Sequence, residues 1–318
     1  MASKPLKASV LLFLKGMAMG AADIVPGVSG GTVAFITGIY EKLVDSIGAV
    51  GPQTIRVLLR QGPVAAWHSF NGNFLLLLFA GILTSVFTLS SLISGLLQQH
   101  PQLLWAFFFG LILASAVHIG RQIPRWGTAT GVALVLGAGI AYGITTLSPQ
   151  ELPLTPLTLF LAGSIAICAM VLPGVSGSFI LLLLGMYAHV IGAVKGLQFG
   201  NLALFSAGCI LGLLLFTRLL SWLLHHYHAL TLALLTGFML GSLNKVWPWK
   251  QTLTTRVNSH GEQVPLDQAN LWPQRYELLT GQDPQLVQSI ALMLLAAALV
   301  LLLEWLARPK TGAGVNRS

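Results

Sequence analysis

Ser29 and Ser176 occupy the same place in a repeated stretch: Pro26-Gly27-Val28-Ser29-Gly30-Gly31-Thr32 and, 147 residues later, Pro173-Gly174-Val175-Ser176-Gly177-Ser178. Proline lacks an N–H and glycine is conformationally free, so each copy breaks a helix. A helix restarting after Val-Ser-Gly turns unpaired N–H groups and the positive end of its dipole toward the break. That is the chemistry of an anion site. Two such ends, with the hydroxyls of Ser29, Thr32, Ser176 and Ser178, would surround a phosphate with donors. The plainer reading is that small residues are there to let helices pack closely.

The elements that must position these residues are duplicated as well. Gly16, Ala22, Gly38 and Tyr40 fall opposite Gly163, Ala169, Gly185 and Tyr187 at the same offset. Each copy therefore belongs to a half-molecule. Apolar residues make up 55% of the 318 and charged residues 8%, far below the roughly 25% charged of a soluble domain, and the mean hydropathy is +0.79. The chain reads as a polytopic membrane protein. Its net charge of +8 lies in loops between apolar runs, where membrane topology explains it better than nucleic acid does. Cys168 and Cys209 lie within apolar segments and read as small hydrophobes. Lys15 interrupts the apolar run at residues 10–14, too short for the core of a signal peptide.

In order, hinged apolar pairs are expected at 8–25 with 28–48 and at 157–172 with 175–194, each a re-entrant hairpin. Spans are expected at 74–97, 103–119, 127–147, 201–224, 229–246 and 286–306. Gly81, Gly110 and Ser115 answer Gly208, Gly237 and Ser242 at an offset of 127, because the polar connection at 49–72 has no equal in the second half. The fold class is thus all-α, with repeat 1 at 8–119, a connector helix at 120–150, repeat 2 at 151–246, an extracytoplasmic loop at 247–285 and a C-terminal transmembrane helix at 286–306. Trp247, Trp249 and Trp272 suit the lipid interface. With a cytoplasmic N-terminus, Lys4, Lys7, Lys42, Arg56, Arg60, Arg121, Arg125, Arg308, Lys310 and Arg317 fall inside. Only Lys195, Lys245, Lys250, Arg256 and Arg275 fall outside, as the positive-inside rule requires. An odd number of crossings separates equivalent points, so the repeats are inverted, and inverted repeats with matched broken helices point to a transporter.

Two charged residues in apolar runs invite function. Asp23 is replaced by Met170 in the second copy; it either binds a proton or sodium ion that couples transport or caps the first hairpin. Arg218 has Ser91 at its matching position and either reaches a phosphate bidentately or snorkels to the interface beside His225, His226 and His228. Lys15 and Lys195 read as interfacial. An enzyme reading lacks support: both serines of the motif precede glycine with no histidine beside them, and no metal-ligand spacing or nucleotide fingerprint accompanies them.

The run Gly20-Ala21-Ala22-Asp23-Ile24-Val25 leading into the first motif, and Leu172 with the second motif and Gly185-Met186-Tyr187, resemble the bacterial polyprenyl-phosphate translocases of the PopT type, formerly a membrane domain of unknown function. The resemblance covers about residues 10–306. It implies a plasma-membrane protein with both termini cytoplasmic that returns undecaprenyl phosphate from the outer to the inner leaflet for carrier-lipid reuse, among membrane lipids and without a cofactor. On that reading Pro26, Gly27, Ser29, Gly30, Gly31, Thr32, Pro173, Gly174, Ser176, Gly177, Ser178 and Arg218 bind phosphate. A transporter or channel for a small soluble anion is the alternative. Oligomeric state is not legible.

Overall fold

The computed structural model describes residues 3–25, 28–150, 152–257 and 263–307. The first part of the chain forms α1 (Ser3–Ile24), α2 (Gly30–Ile36), α3 (Tyr40–Gly48), α4 (Pro52–Gln61), α5 (Pro63–Ser69), α6 (Gly72–Gln99), α7 (Pro101–Gln122) and α8 (Thr128–Thr146). The second forms α9 (Pro156–Val171), α10 (Gly177–Leu183), α11 (Tyr187–Lys195), α12 (Phe199–His226) and α13 (His228–Ser242), then a hairpin of β1 (Lys250–Val257) and β2 (Gln263–Asn270), α14 (Pro273–Thr280) and α15 (Leu286–Ala307). Among the described residues, α6, α7, α8 and α12 are long and apolar enough to cross a membrane, while α9, α13 and residues 286–302 are shorter apolar helices. Large apolar side chains such as Phe79, Phe87 and Leu211 face outward, as they do where lipid is the solvent. The protein is an all-α, multi-pass membrane protein carrying one small antiparallel β-hairpin.

The two breaks have the same local geometry. Helices α2 and α10 match in length, as do α3 and α11. Both short helices end on a glycine at φ +68°, Gly38 and Gly185, a left-handed turn that favours glycine. There Ile39 N donates to Ala34 O at 3.0 Å and Met186 N to Leu181 O at 2.9 Å. The chain then turns sharply; α10 and α11 are bent by 108°.

Glycine also sets how the long helices pack. Helix α1 lies along α6, where a Cβ on Gly16 would overlap Leu78 O and one on Gly81 would overlap Phe13 O. Helix α9 lies along α12 in the same way, Gly163 against Phe205 O and Gly208 against Phe160 O. Backbones that close gain dispersion and weak polar contacts in lipid, where the hydrophobic effect does not pull helices together. Helix α8 packs against α13 of the second half, with Gly137 and Gly237 facing Leu234 O and Leu134 O. Helix α15 packs against α7 of the first half, with Gly110 facing Met293. Each half thus lends its last helix to the other. The largest buried cluster, including Val28, Ala34, Ile112, Met239 and Val300, joins the first hairpin to α7, α13 and α15.

Three expectations change. The polar connection at 49–72 holds α4 and α5, each started by a proline at its first position. The span expected to reach 246 stops at Ser242: the next turns tighten, with Lys245 N bonding Ser242 O at 2.8 Å and Val246 N bonding Leu243 O at 3.2 Å, and Pro248 follows. At 15 residues, α13 is about 22 Å long, short of the ~30 Å hydrocarbon layer. The 247–285 segment is structured, and Trp249 is 4% exposed rather than interfacial, packed with Leu271 and Tyr276 and donating from Nε1 to Pro284 O at 2.8 Å. A tryptophan whose N–H finds a protein carbonyl has no need of the lipid boundary.

Candidate functional site

The two breaks meet inside the bundle. Ser29 is the N-cap of α2 and its Oγ accepts from Gly31 N at 3.1 Å. The same hydroxyl donates across the molecule to Met170 O at 3.0 Å and Leu172 O at 3.2 Å, the last carbonyls of α9. Tyr40 donates its hydroxyl to the carbonyl between them, Val171 O, at 3.1 Å. In return, Gly174 N donates to Thr32 Oγ1 at 2.9 Å. The carbonyl end of α9 thus abuts the amide end of α2, and opposite helix-end charges face each other. Ser29 and Thr32 are fully buried. Gly31 is required by this approach, since a Cβ there would lie 2.7 Å from Val171 O.

Asp23 caps the first hairpin in this arrangement. Its Oδ1 accepts from Gly30 N at 2.6 Å, a charge-assisted bond at the first amide of α2. Lys15 holds the other end, Nζ donating to Thr37 O at 2.6 Å. A seven-residue helix is thereby fixed by an acid at its positive end and a base at its negative end. The second hairpin has Met170 and Ala162 at those two positions. There Ser176 makes no side-chain cap, its Oγ lying 2.9 Å from Ser178 Oγ instead. Gly174, at φ +88°, fits under Ser242, whose Oγ would be 2.6 Å from an added Cβ. Gly177 fits against Ala166 O in the same manner, at 2.6 Å. Hydrogen–deuterium exchange should therefore be about tenfold slower for amides 30–36 than for 177–183, from ~0.3–1 kcal/mol per terminal charge plus the bonds themselves. Equal protection would show that the two charges do not hold the helix.

The structure brings together Asp23, Ser29, Gly30, Gly31, Thr32 and Gly174. Ser176, Gly177 and Ser178 follow at the start of α10, and Pro173 is buried at the second break. Pro26 and Gly27 lie outside the described residues. Arg218 is placed elsewhere, at the C-terminal end of α3: Nε donates to Gly48 O at 3.1 Å and Nη2 to Val50 O at 2.6 Å. In this arrangement it satisfies carbonyls at the end of α3. Beside it, Ser221 Oγ donates to Asp45 Oδ1 at 2.5 Å, and His228 Nε2 lies 3.0 Å from Glu41 Oε1. Helix α3 is thus latched to α12 across the halves. Sequence reasoning missed this latch because its partners are some 170 residues apart. It also missed Lys245 and Lys250, which line a cavity at the far ends of α8 and α13; two lysines five residues apart just beyond an apolar span were the available signal.

Broken helices meet within this multi-pass bundle, bonded end to end, and the names of its family and relatives make the protein a transporter rather than an enzyme. The family model for the VCA0040-like proteins, described as undecaprenyl phosphate translocase-like, matches residues 19–264, and the chain belongs to this family. It is 56% identical over 292 residues to a protein of Vibrio cholerae serotype O1 named polyprenyl-phosphate transporter, covering 92% of this chain and 95% of that one. A protein of Staphylococcus aureus with the same name is 34% identical over 253 residues, covering 74% and 85%. No solved structure matches the chain.

Proposed function

We propose that the protein carries undecaprenyl phosphate from the outer to the inner leaflet of the bacterial plasma membrane, returning the carrier lipid for reuse in envelope synthesis. The observation that carries the reading is the mutual bonding of the two breaks through Ser29, Thr32 and Gly174, in a chain whose relatives are named for polyprenyl phosphate. A phosphate inside hydrocarbon is costly unless its oxygens are met by donors. Here the Ser29 hydroxyl donates to Met170 O and Leu172 O, and the Gly174 amide donates to Thr32 Oγ1, while the breaks are closed. A phosphate entering between them takes the Ser29 hydroxyl and the Gly174 amide as donors to its own oxygens, at the cost of the bonds those donors make to Met170 O, Leu172 O and Thr32 Oγ1. The prenyl tail stays in lipid.

The halves act as inverted repeats, each ending in the helix it lends to the other, and the termini face the cytoplasm. On this reading the site faces either leaflet in turn. Asp23 serves as a cap and Arg218 as the latch of α3, and the phosphate crosses between the breaks. In liposomes holding the purified protein, leaflet exchange of labelled undecaprenyl phosphate should rise at least tenfold over empty liposomes, and Ser29→Ala/Thr32→Val should lose most of that gain. No acceleration by a folded, monodisperse preparation would overturn the reading, and uptake of inorganic phosphate into the same liposomes would put a soluble anion in its place.

A further inference from the structure

A cavity of about 330 Å³ lies where the ends of α8 and α13, one side of α10 and the base of the β-hairpin converge. It is lined by Lys245 and Lys250, and no carboxylate stands among its described lining residues. Lys245 Nζ sits 4.3 Å from the Phe179 ring centre and Lys250 Nζ sits 4.4 Å from that of Trp105. Lys250 also donates to Lys245 O. Burial, and the neighbouring Lys245 charge, hold the Lys250 ammonium well below the usual lysine range. The two amines disfavour each other's charge, and a doubly charged anion between them favours the protonated form of both.

The frame around the lysines is built. Asn270 Nδ2 donates to both Asn244 O and Asn244 Oδ1 at 2.8 Å, and Asn244 Nδ2 donates to Thr145 Oγ1 at 2.9 Å, tying the hairpin to α13 and α8. Gln150 N donates to Leu183 O at 2.7 Å, closing the side along α10. One rim is apolar and open to lipid, with Tyr142 and Leu147 more than half exposed and Leu136 exposed further along α8. Because α13 stops at Ser242, Lys245 follows directly on the last turn of an apolar helix. Phe179, under Lys245, is two residues past Gly177, so the cavity shares α10 with the second break.

We propose that this cavity receives a phosphate monoester headgroup, Lys245 and Lys250 facing its oxygens while the prenyl chain lies along the exposed face of α8. The proposal rests on the transport reading and gives it a waiting site beside the second break, on the side from which the lipid enters.

The test is binding and exchange by the full-length protein with Lys245→Gln/Lys250→Gln, each single variant, and Lys195→Gln at the end of α11 as a control. The probes are farnesyl phosphate, farnesol and inorganic phosphate, read by tryptophan fluorescence in detergent, where the ring of Trp105 lies under Lys250. The expected result is that farnesyl phosphate binds, farnesol does not, and the double variant weakens Kd for farnesyl phosphate at least tenfold while Lys195→Gln matches the wild type. Inorganic phosphate bound as tightly as farnesyl phosphate would overturn the lipid headgroup as the ligand. An unchanged Kd in the double variant would overturn the site. If the double variant does not fold, either single variant that melts with the wild type decides, a threefold or greater loss supporting the proposal and no loss overturning it. Leaflet exchange separates the two readings: a wild type that fails to accelerate it refutes transport, whereas wild-type acceleration by the double variant refutes only the cavity.

Discussion

Asp23→Ala is expected to abolish leaflet exchange, while Asp23→Asn keeps a measurable part of it. The 2.6 Å bond from Gly30 N to Asp23 Oδ1 is the reason. Alanine leaves the first amide of α2 without its acceptor, at about 1–3 kcal/mol for a buried unpaired group, and removes a dipole-matched charge of ~0.3–1 kcal/mol. Gly30 is pressed against the same carboxylate, its Cβ position 2.5 Å from Oδ2, so the truncation also opens a void at the break. Asparagine still offers Oδ1 to Gly30 N and loses only the charge. A residue that carried the coupling proton would give the opposite pattern, with Asn as inactive as Ala. Measuring exchange for both variants, with and without a pH gradient, decides: an Asn variant as dead as the Ala variant sinks the capping role.

The second large effect concerns packing. Gly208→Val should yield no stable folded protein, or one whose apparent Tm falls by more than 10 °C. Even the first added carbon overlaps Phe160 O, a backbone atom that cannot swing aside, and valine adds two methyl groups to it. Helices α9 and α12 must then separate along their length, losing the close approach and the reciprocal contact at Gly163. Overpacking commonly costs about 1–3 kcal/mol, and a rigid backbone obstacle puts this site at or above the top of that range. Gly131→Ala on α8, with open space around its Cβ position, is the comparison and should melt with the wild type. Equal melting of the two variants would show that the glycine contact does not hold the second half together.

Much of this architecture was legible in the sequence because a repeat declares itself twice. The offset of 147 residues predicted that the two breaks would match, but each limb after a break, read as one segment at 28–48 and 175–194, is two short helices turned at Gly38 or Gly185. What stayed hidden involves partners remote in sequence. Nothing local says that the Ser29 hydroxyl bonds α9 rather than a ligand, or that Arg218 turns to Gly48 and Val50. The β-hairpin was obscured by its polar composition, which reads as loop when strands are sought by apolar alternation. The lysine cavity exists only because α13 ends early and the hairpin folds back over it, through Asn270 and Asn244. The candidate anion site was legible as chemistry, but its donors are occupied by the other break, a fact that only three-dimensional pairing supplies.

The unequal support of the two short helices has a mechanical consequence. Helix α2 is pinned by Asp23 and Lys15, and the α3 that follows it is latched to α12 by Arg218 and Ser221; α10 has neither charge at the matching positions. The molecule is therefore built like a vice with one jaw bolted to the bench. On the transport proposed above, the stroke that opens the joint between the breaks falls to the second hairpin, whose Phe179 lines the lysine cavity.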